Sequence, residues 1–144
     1  MAANKIIDGK LVAETMKKEI AAEVAAMLDK GLSAPHLAAV LVGDDGASIT
    51  YVNSKEKACR SVGMTSSVYR LPEKSTEEDV LKIVDFLNND DEIDGYIVQL
   101  PLPSHINENK IIQSIKPTKD VDGFTLHNIG LMQIGEPCYL PATP

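Results

Sequence analysis

Residues His36–Gly43 read HLAAVLVG. The run from Leu37 to Val42 has no polar face, and proline and glycine bound it on either side. A strand of that kind needs cover on both faces, the situation of a central strand in a parallel sheet. Working outward from it, the neighbouring segments alternate between the strand and helix periods. Upstream, Met16, Ile20, Val24 and Met27 recur at helical spacing within Val12–Lys30, and Gly31 marks the stop. A lead-in, Lys5–Leu11, precedes it, with Asp8-Gly9 as a turn. Downstream, the loop GDDGAS leads into a helix entered through Ser48 and closed by Gly63. Thr65–Leu71 suits a second strand ended by Pro72, and Ser75 with Glu78 forms a capping box. The helix that follows turns Val80, Ile83, Val84 and Leu87 inward. Ile93–Leu100, IDGYIVQL, is a further buried strand, and Asn107 caps a helix through Ile111, Ile112 and Ile115 stopped by Pro117. The alternation predicts an α/β fold with a mainly parallel sheet covered on both faces. In such sheets ligands sit beyond the carboxyl ends of the strands.

Composition narrows the function classes. The 144 residues suit one domain, and 44% hydrophobic with 24% charged residues is ordinary for a soluble globular chain. A net charge of -7 argues against nucleic-acid or anionic-membrane partners. No apolar run is long enough to span a membrane, and the amino end has no signal-peptide pattern. Cys59 and Cys138 suit a reducing cytoplasm, and the scattered His36, His105 and His127 offer no metal-ligand spacing.

The candidate chemistry lies in three polar stretches that follow strands. In ASITYVNSKEKACRSVG, Tyr51 and Lys55 are four residues apart and project from one helix face, continued by Ala58 and Val62. Such a stripe should pack inward, carrying the ring and the lysine towards a partly buried cleft. A desolvated lysine can shuttle protons near neutral pH, although a solvated surface lysine is the commoner case. Gln99 closes an apolar strand, so its amide must find a partner: a backbone group, the Lys55 ammonium or a substrate carbonyl. In KDVDGF, Asp120 and Asp122 are either turn residues or carboxylates able to hold paired N–H donors of an amino-substituted heterocycle. GDDGAS is no phosphate cradle, because its aspartates repel phosphate and both the P-loop and GxGxxG patterns are missing.

ASITYVNSKEKAC, DGYIVQLPLP and KPTKDVDGF, in that order and at these separations, resemble the amino-terminal half of bifunctional methylenetetrahydrofolate dehydrogenase/cyclohydrolase. KIIDGKLVAETM and the VGDD loop extend the likeness over essentially the whole chain. The resemblance implies a three-layer α/β/α architecture like the amino-terminal domains of amino-acid dehydrogenases, with residues 1–144 as one folate-binding catalytic domain. It implies that Lys55 is the central proton-transfer group, with Gln99 bonded to it. Tyr51 would stack on the folate ring and Asp122 would anchor the pterin, while Asp120 is the weaker candidate. Ser48 and the backbone of Val98 and Pro101 would shape the pocket.

The implied reactions are oxidation of methylene- to methenyl-tetrahydrofolate with NADP or NAD, then hydrolysis to formyl-tetrahydrofolate. No metal is implied, and the nicotinamide site belongs to a second half that this chain lacks. The chain stops at Leu140-Pro141-Ala142-Thr143-Pro144, about where relatives enter that half, so an excised domain is expected. A cytoplasmic homodimer in one-carbon metabolism and purine biosynthesis is the implied setting. Two other readings compete: a non-catalytic folate-binding or assembly module, and the amino-terminal domain of another α/β dehydrogenase. Lys55-independent binding would mark the first, and the second would not need QLPLP or KDVDGF.

Overall fold

The computed structural model of the protein describes residues 7–142. Its order is α1 (Gly9–Asp29), β1 (His36–Val42), α2 (Gly46–Ser61), β2 (Thr65–Leu71), α3 (Glu77–Asn89), β3 (Gly95–Val98), α4 (Glu108–Gln113), a 3-10 turn (Pro117–Lys119) and α5 (Leu126–Ile134). The three strands form one parallel sheet in the order β2-β1-β3. HLAAVLVG is therefore the central strand, as its unbroken apolar run requires.

Alternation along β1 divides the core between two layers. Ala38, Val40 and Val42 join Val80, Val84 and Leu87 of α3 and Ile111 of α4 on one face. Ala39 and Leu41 pack with Val52 of α2 and Ile97 of β3 on the other. The three-layer α/β/α arrangement follows directly.

Several element ends differ from the sequence reading. Helix α2 is capped by Asp45, whose Oδ2 accepts from the Ser48 amide at 2.8 Å, so Ser48 lies inside the first turn. Its buried positions are Ser48, Val52 and Cys59, which rotates the inward stripe by one residue from Tyr51. The capping box of α3 is Thr76 with Asp79, because Ser75 is buried and its carbonyl is engaged by His105 Nε2 at 2.9 Å. The third strand is shorter than Ile93–Leu100. Asp94 turns its side chain to accept from the His36 amide at 2.8 Å, and prolines follow Gln99. Asn107 does cap α4, but that helix ends at Gln113, before Ile115. Asp8 caps α1 rather than standing in a free turn, and Lys5 and Ile6 of the expected lead-in lie outside the described residues.

Only part of the expected α1 face is covered. Val24 is buried, packing near Gly63 at the end of α2, and Met27 is half-buried. Met16 and Ile20 are 54% and 39% exposed, left uncovered by the described residues.

Candidate functional site

Three elements deliver their polar groups to the carboxyl end of β3. Lys55 projects from the middle of α2, which leaves β1 through the Gly43–Asp45 turn. Gln99 follows the last residue of β3, where its backbone amide still donates to Val40 O at 2.9 Å and holds it in the sheet. Its side-chain amide donates to Leu100 O at 2.7 Å, which aims Oε1 at Lys55, whose Nζ donates to it across 3.4 Å. Two of the three partners open to Gln99 are thus engaged at once: one end of the amide satisfies backbone, and the other faces the lysine.

Asp122 completes the group. Lys55, Val98, Gln99, Leu100, Asp122 and Phe124 line a cleft of about 160 Å³. Burial pushes the Asp122 carboxyl above its ordinary value, the Lys55 charge pulls it back down, and the charge of Asp120 pushes it up again. A cleft of this size holds reacting groups rather than a whole ligand, since ligand sites commonly run to several hundred Å³. Beside it at the same sheet edge lies a hollow of about 370 Å³ lined by residues including Asp45, Glu73, Pro101 and Leu102.

The remaining sequence candidates separate. Val98 lines the cleft, whereas Pro101 lines the neighbouring hollow. Ser48 is buried beneath the α2 cap, with its amide on Asp45, and lines neither. Tyr51 is 63% exposed and does not line the cleft, so the expectation that its ring turns into a partly buried cleft is not met within residues 7–142. The stripe rotation explains this: Val52, not Tyr51, takes the inward position. Leu100 and Phe124 are the cleft residues that the sequence candidates did not include. Their places directly after Gln99 and after the KDVDG turn were the available signal.

Asp120 and Asp122 play opposite parts. Asp120 is 1% exposed and accepts from the Phe124 and Thr125 amides and from Asn128 Nδ2. Burial alone would raise its pKa, but these bonds outweigh burial and hold the carboxyl below its ordinary value. Lys119 fixes the other side of the turn. Its buried ammonium donates to Leu87 O at 2.9 Å and Asp90 O at 2.6 Å, at the carboxyl end of α3 where a cation is favoured. Val121 lies against Gly95, the first residue of β3.

A dinucleotide does not fit the helix entrances at this edge. The amino end of α2 is occupied by the Asp45 carboxylate, and α3 begins with Thr76 and the acidic first turn Glu77, Glu78 and Asp79. Both would repel a pyrophosphate where a binding turn must offer free amides. Among the described residues, no group of three or more His, Cys, Asp or Glu is placed to hold a metal ion. No described helix is long and apolar enough to cross a membrane.

Comparison with known proteins agrees with this architecture. Residues 7–122 match the family model described as tetrahydrofolate dehydrogenase/cyclohydrolase, catalytic domain. The chain is 56% identical over 139 residues to bifunctional protein FolD of Bacteroides thetaiotaomicron, covering 96% of this chain and 47% of that protein. It is 53% identical over 140 residues to bifunctional protein FolD of Cytophaga hutchinsonii, covering 97% and 48%. Among solved structures, the bifunctional FolD methylenetetrahydrofolate dehydrogenase/cyclohydrolase of Campylobacter jejuni superposes with a TM-score of 0.91 at 43% identity, over 95% of this chain and 49% of that one. The Trypanosoma brucei enzyme, solved with NADP and an inhibitor, gives 0.86 at 34%, over 93% and 46%. The chain spans about half the length of these relatives. With three motifs in register, the fold of its structural relatives and a match across residues 7–122, the chain belongs to the tetrahydrofolate dehydrogenase/cyclohydrolase family.

Proposed function

We propose that this chain is the folate-binding catalytic domain of a methylenetetrahydrofolate dehydrogenase/cyclohydrolase, and that its own residues carry the hydrolytic half of the chemistry. The observation that carries the reading is the convergence of Lys55, Gln99 and Asp122, from three separate elements, on one cleft at the end of β3. Methenyl-tetrahydrofolate holds a cationic carbon between two nitrogens. Water adds to that carbon, forming a C–O bond and giving up a proton to the Lys55 amine. The bond from carbon to one nitrogen then breaks, and that nitrogen takes a proton back from the Lys55 ammonium. The carbon remains on the other nitrogen as a formyl group. One water proton ends on the released nitrogen and the second passes to solvent, so charge and atoms balance.

Gln99 Oε1 orients Nζ through both transfers, and Asp122 accepts the N–H donors of the pterin. Tyr51, one turn before Lys55 on α2 and exposed, offers a flat face to the ring. The oxidation also performed by the family needs a nicotinamide as hydride acceptor. The wider reading is a parent enzyme using NADP or NAD in one-carbon metabolism and purine biosynthesis, as a cytoplasmic homodimer. The names of its relatives support the chemistry, and the free thiols of Cys59 and Cys138 suit a reducing compartment.

The test follows loss of methenyl-tetrahydrofolate absorbance with this chain, with Lys55→Met and with buffer alone, in a buffer where spontaneous hydrolysis is slow. Decay that depends on Lys55 is the expected result. Equal decay with both proteins, together with equal binding of a folate analogue, would replace catalysis by a binding role.

A further inference from the structure

The two aspartates of KDVDGF stand two residues apart, and the structure separates them: Asp120 is buried on backbone and Asn128 donors, and Asp122 lines the cleft. We propose that Asp120 is the positioning residue of the cleft: its buried carboxylate straps the Val121–Thr125 turn so that Asp122 and Phe124 both face Lys55. This rests on the functional reading above, in which Asp122 holds the pterin.

The geometry is specific. Asp120 Oδ1 accepts from the Phe124 amide at 3.2 Å, while Oδ2 accepts from the Thr125 amide and from Asn128 Nδ2, each at 2.8 Å. Its own carbonyl accepts from the Gly123 amide at 3.2 Å, closing the turn on the backbone side. One side chain therefore holds the two residues after Gly123 and the first turn of α5. Asp120 is also bridged to Tyr96 of β3, which ties the strap to the sheet. Asn128 extends it by donating to Pro117 O at 3.2 Å, so the residues before and after the turn are clamped together.

Asp120 does not line the cleft, and with 1% exposure it has no route to a ligand. Asp122, two residues before the first strapped amide, and Phe124, which carries that amide, do line it. Gly123 makes the turn possible with φ +68°, in the left-handed region. Replacing the Asp120 carboxylate by an amide would place an N–H2 against one donor at the Oδ1 position or two at the Oδ2 position, and the turn must rotate to relieve it. The clash falls on Phe124 or on Thr125 and Asn128, according to how the amide turns.

The experiment compares Asp120→Asn, Asp122→Asn and the double variant for binding of a folate analogue, beside an NMR titration of the Asp122 carboxyl in Asn128→Ala. The last variant keeps the Asp120 charge and removes one donor that orients it. Asp120→Asn should weaken binding about tenfold, the loss of one bond to a charged group. It should add almost nothing in the Asp122→Asn background, because it acts through Asp122. In Asn128→Ala the Asp122 carboxyl should fall back towards its ordinary value as the turn loosens towards water. Additive losses in the double variant, or an unchanged Asp122 titration in folded Asn128→Ala, would overturn the proposal. If the unmodified chain binds no analogue, the folate reading fails instead, and the titration alone decides the positioning role.

Discussion

Gly95→Ala is the sharpest probe of how the sheet holds the candidate site. A Cβ built on Gly95 would lie 2.3 Å from Val121 Cγ1 and 3.4 Å from Lys119 O. Carbon atoms in contact prefer about 3.5 to 4.0 Å, so more than 1 Å must be opened. The obstacle is a β-branched side chain with a stiff χ1, seated between Asp120 and Asp122, so relief comes only by moving the turn. Overpacking of this kind costs about 1 to 3 kcal/mol. With a urea slope of about 1 to 3 kcal/mol/M, the unfolding midpoint should fall by about 1 M. Val121→Ala alone should cost about 1 to 2 kcal/mol in lost methyl burial. The double variant Gly95→Ala/Val121→Ala removes the obstacle, so its cost should fall short of the sum by at least about 1 kcal/mol. Urea denaturation followed by circular dichroism measures all three. Additivity within about 0.5 kcal/mol, or a loss below about 0.5 kcal/mol for Gly95→Ala, would show that Val121 moves freely and that the turn is not braced by β3.

Other outcomes follow from single contacts. Tyr51→Ala should change stability by less than about 0.5 kcal/mol, since the ring is mostly exposed, while weakening folate-analogue binding; equal loss of both would make Tyr51 structural. Thr76→Ala removes the Thr76 hydroxyl that accepts from the Asp79 amide and donates to Asp79 Oδ2, leaving the backbone half of the box, and should cost about 1 kcal/mol in urea denaturation, with no change in analogue affinity. Asp122 and Asp120 should act oppositely on acid stability. The folded pKa of Asp122 is raised, so its contribution is fully present below the ordinary value of 3.8 and is lost as pH rises through the folded value. Asp122→Asn should therefore stabilise the chain at neutral pH and lose that advantage in acid. The folded pKa of Asp120 is lowered, so its contribution is present above 3.8 and lost as pH falls through the folded value. Unfolding midpoints at pH 7 and pH 3 for the two asparagine variants check both signs.

The parts legible in the sequence were those encoded over short range. The central strand, β2 and the stop of α1 follow from apolar runs and turn residues, whereas the pairing of Lys55 with Gln99, 44 residues apart, was one of several open to Gln99 and was implied only by the family resemblance. Cap assignments failed where two candidates stood side by side. Ser75/Glu78 and Thr76/Asp79 are equivalent as patterns, and the choice was made by burial of Ser75 against His105. Helix α5 was missed because Leu126–Ile134 has Gly130 within it and no clear polar face. What fixes its start is Thr125 together with Asp120, the latter five residues upstream and already read as a turn residue. The position of Tyr51 turned on a one-residue rotation of α2, which depends on Val52 packing against the far side of the sheet.

The outward apolar stripe of α1 has a consequence for how the chain comes apart. Unzipping that helix releases little more than the burial of Val24 and part of Met27, about 2 to 3 kcal/mol of side-chain cover. The sheet and its two flanking layers lose nothing else. The segment before Gly31 should therefore open and close many times for each global unfolding event, offering its peptide bonds to a protease while β1, β2 and β3 stay paired.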